Sequence, residues 1–315
     1  MRHKHILACT CCILCMASCQ NESEKWSSPT TELTMSVIAH IGEPSSPKSR
    51  YAGPDLNNVE FTQGDSIGIF IDDAPITRWG YSNISWVPDE KTYWPDKVNA
   101  HTFRAFYPYV QADSYNSITM PSLLDQDGSF ESLSNHDFLA ATTTQTYGEN
   151  GTVYFQGKDE SFKHISSLIY LILNADEDLI SATINRISLE GTNIVAPSTY
   201  SFTDGVTLTP NAQSNLLEIT NEKSMSNGDV EYYLITNEKP ESTGKVTLTI
   251  EYSVGEQTYT AQATDFSNNT FVKGMQHRFS ITVKNRALVI SGSSITPWDE
   301  SVMQDIIIDA KESES

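Results

Sequence analysis

Beyond residue 19 the 315-residue chain has no cysteine. Cys9, Cys11, Cys12, Cys15 and Cys19 all lie at the amino end. Once that end is processed at Cys19, no intramolecular disulfide can form, even in a compartment that permits one. Stability then rests on burying apolar surface, and the length fits two domains of ordinary size. Positive charge is also scarce: 20 Lys and Arg face 40 Asp and Glu, a formal net charge of −20. Such acidity excludes docking on nucleic acid, whose phosphates need cationic partners. It equally excludes electrostatic adhesion to anionic lipid. Helical periodicity is missing, since no 3.6-residue pattern persists beyond about two turns. Catalytic signatures are missing too: there is no HExxH, GxSxG, P-loop or GxGxxG. His40, His101, His136, His164 and His277 are scattered, with no cysteine near them after processing, so a zinc site is not expected. His164, at the start of a strand, reads as a packed group. The run Asp125-Gln126-Asp127-Gly128-Ser129 lacks the ligand spacing and closing glutamate of a calcium loop and reads as an acidic turn. No catalytic residue, metal or cofactor is expected.

What the amino end does have is a secretory leader. Arg2 and Lys4 precede an apolar run over residues 6–17, too short to span a bilayer as a helix. It closes on Met16-Ala17-Ser18-Cys19, which resembles a lipobox: cleavage between Ser18 and Cys19, then lipid on the Cys19 thiol. Loss of Arg2 and Lys4 with residues 1–18 takes the net charge from −20 to −22. Membrane attachment would rest on acyl chains alone. Residues 19–30 are polar and read as a flexible spacer.

The organising stretch is 33–50. Leu33, Met35, Val37, Ala39 and Ile41 alternate with Thr34, Ser36, Ile38 and His40, the period of a half-buried strand. Gly42, Pro44 and Pro47 then interrupt any regular structure, and the linker ends at Lys48-Ser49-Arg50, a site open to a trypsin-like protease. Short strands follow at 66–71, 137–141 and 152–155, with a dense run of aromatics through Trp86, Tyr93-Trp94 and 103–109 between the first two. Gly68 inside the first implies a bulge or a close backbone approach. A second series starts with a long strand over 162–173 and continues through 181–189, 200–202, 205–208, 232–236, 245–254, 257–263, 278–283, 287–290 and 294–298. Gly255-Glu256 reads as a hairpin turn. Short strands separated by turns argue for antiparallel β-sandwiches. The expected division is an N-terminal sandwich over 31–157 and a C-terminal one over 158–315, with a polar boundary at 157–160. Trp79, Trp86, Trp94 and Tyr107 pose a choice. They are sandwich core, or Trp86 and Trp94 belong to a platform on which sugars stack in a monomeric surface lipoprotein that binds glycans or host ligands.

Several of these segments recur in a known order. It runs from the lipobox, alternating strand and arginine to Gly64-Asp65-Ser66-Ile67-Gly68-Ile69-Phe70, Tyr93-Trp94-Pro95 and Phe106-Tyr107-Pro108-Tyr109. It continues with Asp137-Phe138-Leu139-Ala140, Phe162-Lys163-His164 and Ile295-Thr296-Pro297-Trp298. In this order the chain resembles the fimbrillin-like proteins of Bacteroidetes over nearly its whole mature length. The resemblance implies two transthyretin-like (Ig-like) sandwiches in tandem and export as a lipoprotein to the surface of the outer membrane. It further implies cleavage of the Arg50–Tyr51 bond by a trypsin-like surface protease. The emptied groove of 33–41 would then take a donor strand from another fimbrial subunit. Tyr51 departs from the small residue that many relatives carry after the arginine. Anchor subunits of such fimbriae stay uncut. The apolar triplet 306–308 is either a donor strand or the last strand of its own domain.

Overall fold

A computed structural model describes residues 33–42, 60–284 and 286–298. Ser18, Cys19, Arg50, Tyr51 and the triplet 306–308 lie outside the described residues. The chain is all-β. Its first half supplies β1 (Ser36–Ala39), β2 (Ser66–Ile71), β3 (Thr77–Ser82), β4 (Ser85–Pro88), β5 (His101–Tyr107), β6 (Ile118–Thr119), β7 (Leu139–Gln145), β8 (Thr152–Phe155) and β9 (Lys163–His164). Its second half supplies β10 (Ser167–Ala175), β11 (Thr183–Glu190), β12 (Ser198–Ser201), β13 (Gly205–Leu208), β14 (Leu216–Ile219), β15 (Lys223–Ser224), β16 (Val230–Thr236), β17 (Thr247–Val254), β18 (Gln257–Thr264), β19 (Met275–Lys284) and β20 (Ala287–Pro297).

In the first half a six-stranded antiparallel sheet runs β4-β3-β2-β5-β7-β9, and β1 pairs with β8 as a separate ribbon. Both faces of this sheet are covered along its central strand β2. Ile67, Ile69, Phe103 and Ala105 join the core that also holds Met35 and Val37 of β1. Phe70 and Phe106 point the other way, into a cluster with Ile118, Phe138 and the half-buried Tyr200 and Phe202. Strand alternation sends neighbours to opposite faces, so β2, covered on both sides, is apolar at nearly every position. Gly68 sits on the Phe70 face, where an added Cβ would lie 2.6 Å from Ile76 and 2.7 Å from Phe106. A close approach, not a bulge, requires that glycine.

In the second half a sheet ordered β16-β10-β19-β20 faces one ordered β14-β11-β17-β18, with β15 also on β11. Their inner faces form one core containing Leu171, Ile187, Tyr232, Ile250 and Ile281. On β11 the buried residues are Ile184, Ile187 and Leu189, a spacing of three and then two. A bulge at Asn185 opposite β17 supplies the extra residue. Val254 pairs with Gln257 across Gly255-Glu256, as the hairpin reading requires, and Gly255 adopts φ 60°.

The single long strand read over 162–173 is in fact two. β9 pairs with β7 in the first half, whereas β10 pairs with β16 and β19 in the second. The break falls at Ile165-Ser166. Ile165 N–H donates to Phe138 O on one side, and Ser166 O accepts from Gly274 N–H on the other. Hydrophobicity is continuous across this point, so the sequence pattern conceals the crossing.

Candidate functional site

The first strand and the groove that holds it form the candidate site. β1 lies parallel to β8, with Ser36, Val37, Ile38 and Ala39 opposite Thr152, Val153, Tyr154 and Phe155. Ser36 N–H donates to Gly151 O at 3.2 Å, and His40 N–H to Phe155 O at 2.9 Å. Beyond the ladder, Met35 N–H donates to Thr92 O and Trp94 N–H to Leu33 O, bracketing the strand's start. Phe162 brackets its end, donating to His40 O and accepting from Gly42 N–H. The groove is therefore a set of fixed donors and acceptors aimed at one extended backbone.

Alternation holds along the strand. Met35, Val37 and Ile41 are buried, Leu33 and Ala39 half-buried, and Thr34, Ser36 and Ile38 exposed. The three buried side chains meet Trp94, Val153, Phe155 and Phe162 in one core. Each contributes on the order of 1.5–3 kcal/mol. Gly151 sets the approach of the two strands. It adopts φ 68°, and a Cβ there would lie 2.6 Å from Thr34 O. On its other edge β8 is closed by a side chain, because Gln145 accepts from Tyr154 N–H through Oε1 and donates to Tyr154 O through Nε2. No alternation pattern announces such a clamp.

The tryptophans singled out as a stacking platform are core groups. Trp86 is 7% exposed and meets Phe61 and Tyr81 at ring separations of 4.9 and 5.0 Å. Trp94 is 2% exposed, packs edge-on against Phe103, and donates its indole N–H to Gly151 O at 2.7 Å. Neither offers a ring face to a ligand. Trp94 instead belongs to the β1 groove, a role that only its tertiary neighbours reveal.

Other candidates take structural places. His164 and Asp137 are buried and joined at 3.0 Å, and the imidazole stacks on Trp298 at 3.9 Å. Asp127 accepts from Ser129 and Ser132, as an acidic turn should. Burial alone would raise the Asp72 pKa, but hydrogen bonds from Thr102 N–H and His101 outweigh it and hold the carboxyl below its ordinary range. Among the described residues no group of three or more His, Cys, Asp or Glu is arranged to hold a metal ion. An open cleft of about 520 Å³ is lined by Phe130, Lys223, Glu231 and Tyr233. Its polar groups answer one another: Glu231 accepts from the hydroxyls of Tyr170 and Tyr233, and Lys223 Nζ donates to Glu231 O. Burial and the Glu231 carboxylate push the Tyr170 pKa up to about 12, so its hydroxyl remains a donor.

Fold and groove together define a β-sandwich protein whose first strand is held along one edge by β8 and bracketed at both ends. The model of the fimbrillin-like family matches residues 54–298, and the chain belongs to that family. Fimbrillin-like proteins are adhesion and structural proteins, not enzymes, which supports a place in a cell-surface fimbrium. A candidate cell adhesion protein from Bacteroides uniformis is 17% identical with a TM-score of 0.58, covering 85% of this chain and 99% of its own. One from Bacteroides ovatus is 16% identical with a TM-score of 0.60, covering 85% and 98%. A third, from Bacteroides fragilis, is 13% identical with a TM-score of 0.51, covering 87% and 100%. At these identities the likeness establishes the shared fold. No curated protein matches the chain.

Proposed function

We propose that this protein is a structural or anchor subunit of a cell-surface fimbria, exported as an outer-membrane lipoprotein and assembled by β-strand exchange. Leader cleavage between Ser18 and Cys19 and lipidation of Cys19 deliver the chain to the surface. A trypsin-like protease then cuts the Arg50–Tyr51 bond. The cut separates β1 and the lipid from the fold, and a neighbouring subunit supplies the replacement strand. The observation that carries this reading is the seating of β1, with Met35, Val37 and Ile41 buried in a groove bracketed by Thr92, Phe155 and Phe162. Emptying the groove leaves apolar surface and unpaired backbone groups, a state that strand addition relieves. The triplet 306–308 is a donor candidate by its composition. Partners are other fimbrial subunits, with nucleic acid excluded by the acidity.

The test is limited trypsin treatment of lipid-free protein, followed by amino-terminal sequencing and size-exclusion chromatography. A new terminus at Tyr51 and conversion to oligomers are expected. A protein that resists cleavage after Arg50 and stays monomeric does not polymerise this way and is left with the anchor role. The glycan-binding alternative loses its motivating feature, since Trp86 and Trp94 are buried.

A further inference from the structure

An asparagine followed by glycine exposes its side-chain amide to attack by its own backbone, because glycine sets no Cβ beside the attacking nitrogen. The chain has two such pairs, Asn150-Gly151 and Asn227-Gly228. The fold treats them differently. Asn227 ends a single turn of 3-10 helix, and the Gly228 N–H is committed to Met225 O at 3.2 Å. Asn150 is exposed at the end of the turn between β7 and β8, and among the described residues nothing accepts from the Gly151 N–H. Asn150 Oδ1 accepts instead from Thr152 N–H at 3.2 Å. That bond folds the carboxamide back over the intervening peptide and brings its carbon towards the Gly151 nitrogen.

The same pair sits on the β1 groove. Gly151 O accepts from Ser36 N–H at 3.2 Å and from the Trp94 indole N–H at 2.7 Å. There is little room to adjust, since a Cβ on Gly151 would already lie 2.6 Å from Thr34 O. A change in backbone length next to Gly151 therefore falls on the carbonyl that holds both Ser36 and Trp94.

We propose that Asn150-Gly151 is a site of spontaneous isoaspartate formation, and that the modification loosens the start of β1. The Gly151 nitrogen gives up its proton and attacks Asn150 Cγ. A C–N bond forms, the bond from Cγ to Nδ2 breaks, and ammonia leaves, which closes a five-membered succinimide. Water then opens the ring, and the exposure of Asn150 admits it. Opening at the former backbone carbonyl routes the main chain through Cβ and Cγ and leaves that carbonyl as a carboxylate. Nothing is oxidised or reduced, and water is the only co-reactant. The main chain gains one methylene directly before Gly151, and Thr152 N–H loses its side-chain acceptor. The site uses the β1 groove but requires neither cleavage after Arg50 nor strand exchange.

Peptide mapping by mass spectrometry, on full chain held at mildly alkaline pH, tests this. Isoaspartate should accumulate at Asn150 ahead of Asn227, and faster as pH rises, because the attacking nitrogen must lose its proton. In the converted protein the amides of Met35, Ser36 and Val37 should exchange about tenfold or more faster, while those of β10 stay unchanged. Asn150→Gln should abolish the conversion, since the larger ring closes far more slowly. Asn150→Asp adds the charge without the methylene, so freshly prepared it should keep β1 exchange near wild type. Isoaspartate that forms no faster at Asn150 than at Asn227 overturns the proposal. So does converted protein whose β1 amides exchange as before, or an Asn150→Asp chain as loose as the converted one. Cleavage after Arg50 enters none of these readings, so the two proposals stand or fall separately.

Discussion

β1 and β10 are both apolar strands in parallel ladders, yet they are built into the protein very differently. β1 is four residues long and pairs along β8 alone, with brackets only at its ends. β10 is nine residues long and lies between β16 and β19. Burial on β1 alternates, while Ser167–Leu171 of β10 is buried without a break. Withdrawing β1 unpairs one ladder and leaves the six-stranded sheet intact, because β1 pairs only with β8 and β8 keeps its Gln145 clamp. Withdrawing β10 would cut its sheet in two. Apolar character is common to both strands, so it does not set how firmly each is held; the number of paired edges does.

The largest expected effect separates the two strands directly. Leu171→Ala on β10 should cost about 2–5 kcal/mol in denaturant unfolding, and Val37→Ala on β1 about 1–2 kcal/mol. Equal costs would break the contrast. Next comes a pH effect confined to the second half. Burial lowers the His277 pKa from 6.5 to about 4. Its Nε2 accepts from Val272 N–H, and its Nδ1 faces Ser267 Oγ. Because the folded pKa lies below the unfolded one, this contribution is fully present above about pH 6.5 and is lost as pH falls towards 4. It amounts to about 3 kcal/mol. Acid titration of wild type and His277→Phe should show the slope in the former only. An unchanged slope would reassign the acid sensitivity to other groups.

A smaller effect belongs to the groove. Gly151→Ala, strained by positive φ and by Thr34 O, should cost about 2 kcal/mol and speed amide exchange in β1 while β10 amides stay protected. Parallel losses in both strands would mean that β1 does not open independently. The smallest effect is a gain. Ile84, at φ 61° and 91% exposed, turns the β3–β4 hairpin in a left-handed conformation that suits glycine. Ile84→Gly should stabilise the protein by about 1 kcal/mol or less. A lowered melting temperature would mean that the isoleucine makes a contact worth its strain.

Much of the framework was legible. Alternation over residues 33–41 marked β1 and its buried face, and the bounds of β2, β8 and β13 coincide with those expected. β3 and β4 were not seen, because the turn Asn83-Ile84 lacks the glycine that usually marks such a hairpin. The sequence left Trp94 open between core and stacking platform, because a strand-poor, proline-flanked stretch carries it. Its partner Gly151 lies 57 residues away in sequence, and no local pattern spans that distance. Lys239 was equally hidden. It is 1% exposed and donates to the carbonyls of Gly244 and Asn269, with its pKa lowered by burial.

Composition and periodicity by themselves determined the all-β class, the acidic surface, the absence of disulfides beyond Cys19 and the amphipathic first strand. These are properties of residue type and spacing, set before any long-range contact forms. Tertiary structure alone decided that β1 runs parallel to β8 and that residues 162–173 divide between two sheets. It alone made core of the tryptophans. Each of these depends on which distant backbone groups meet, and hydrogen-bond pairing across more than 100 residues leaves no trace in local sequence.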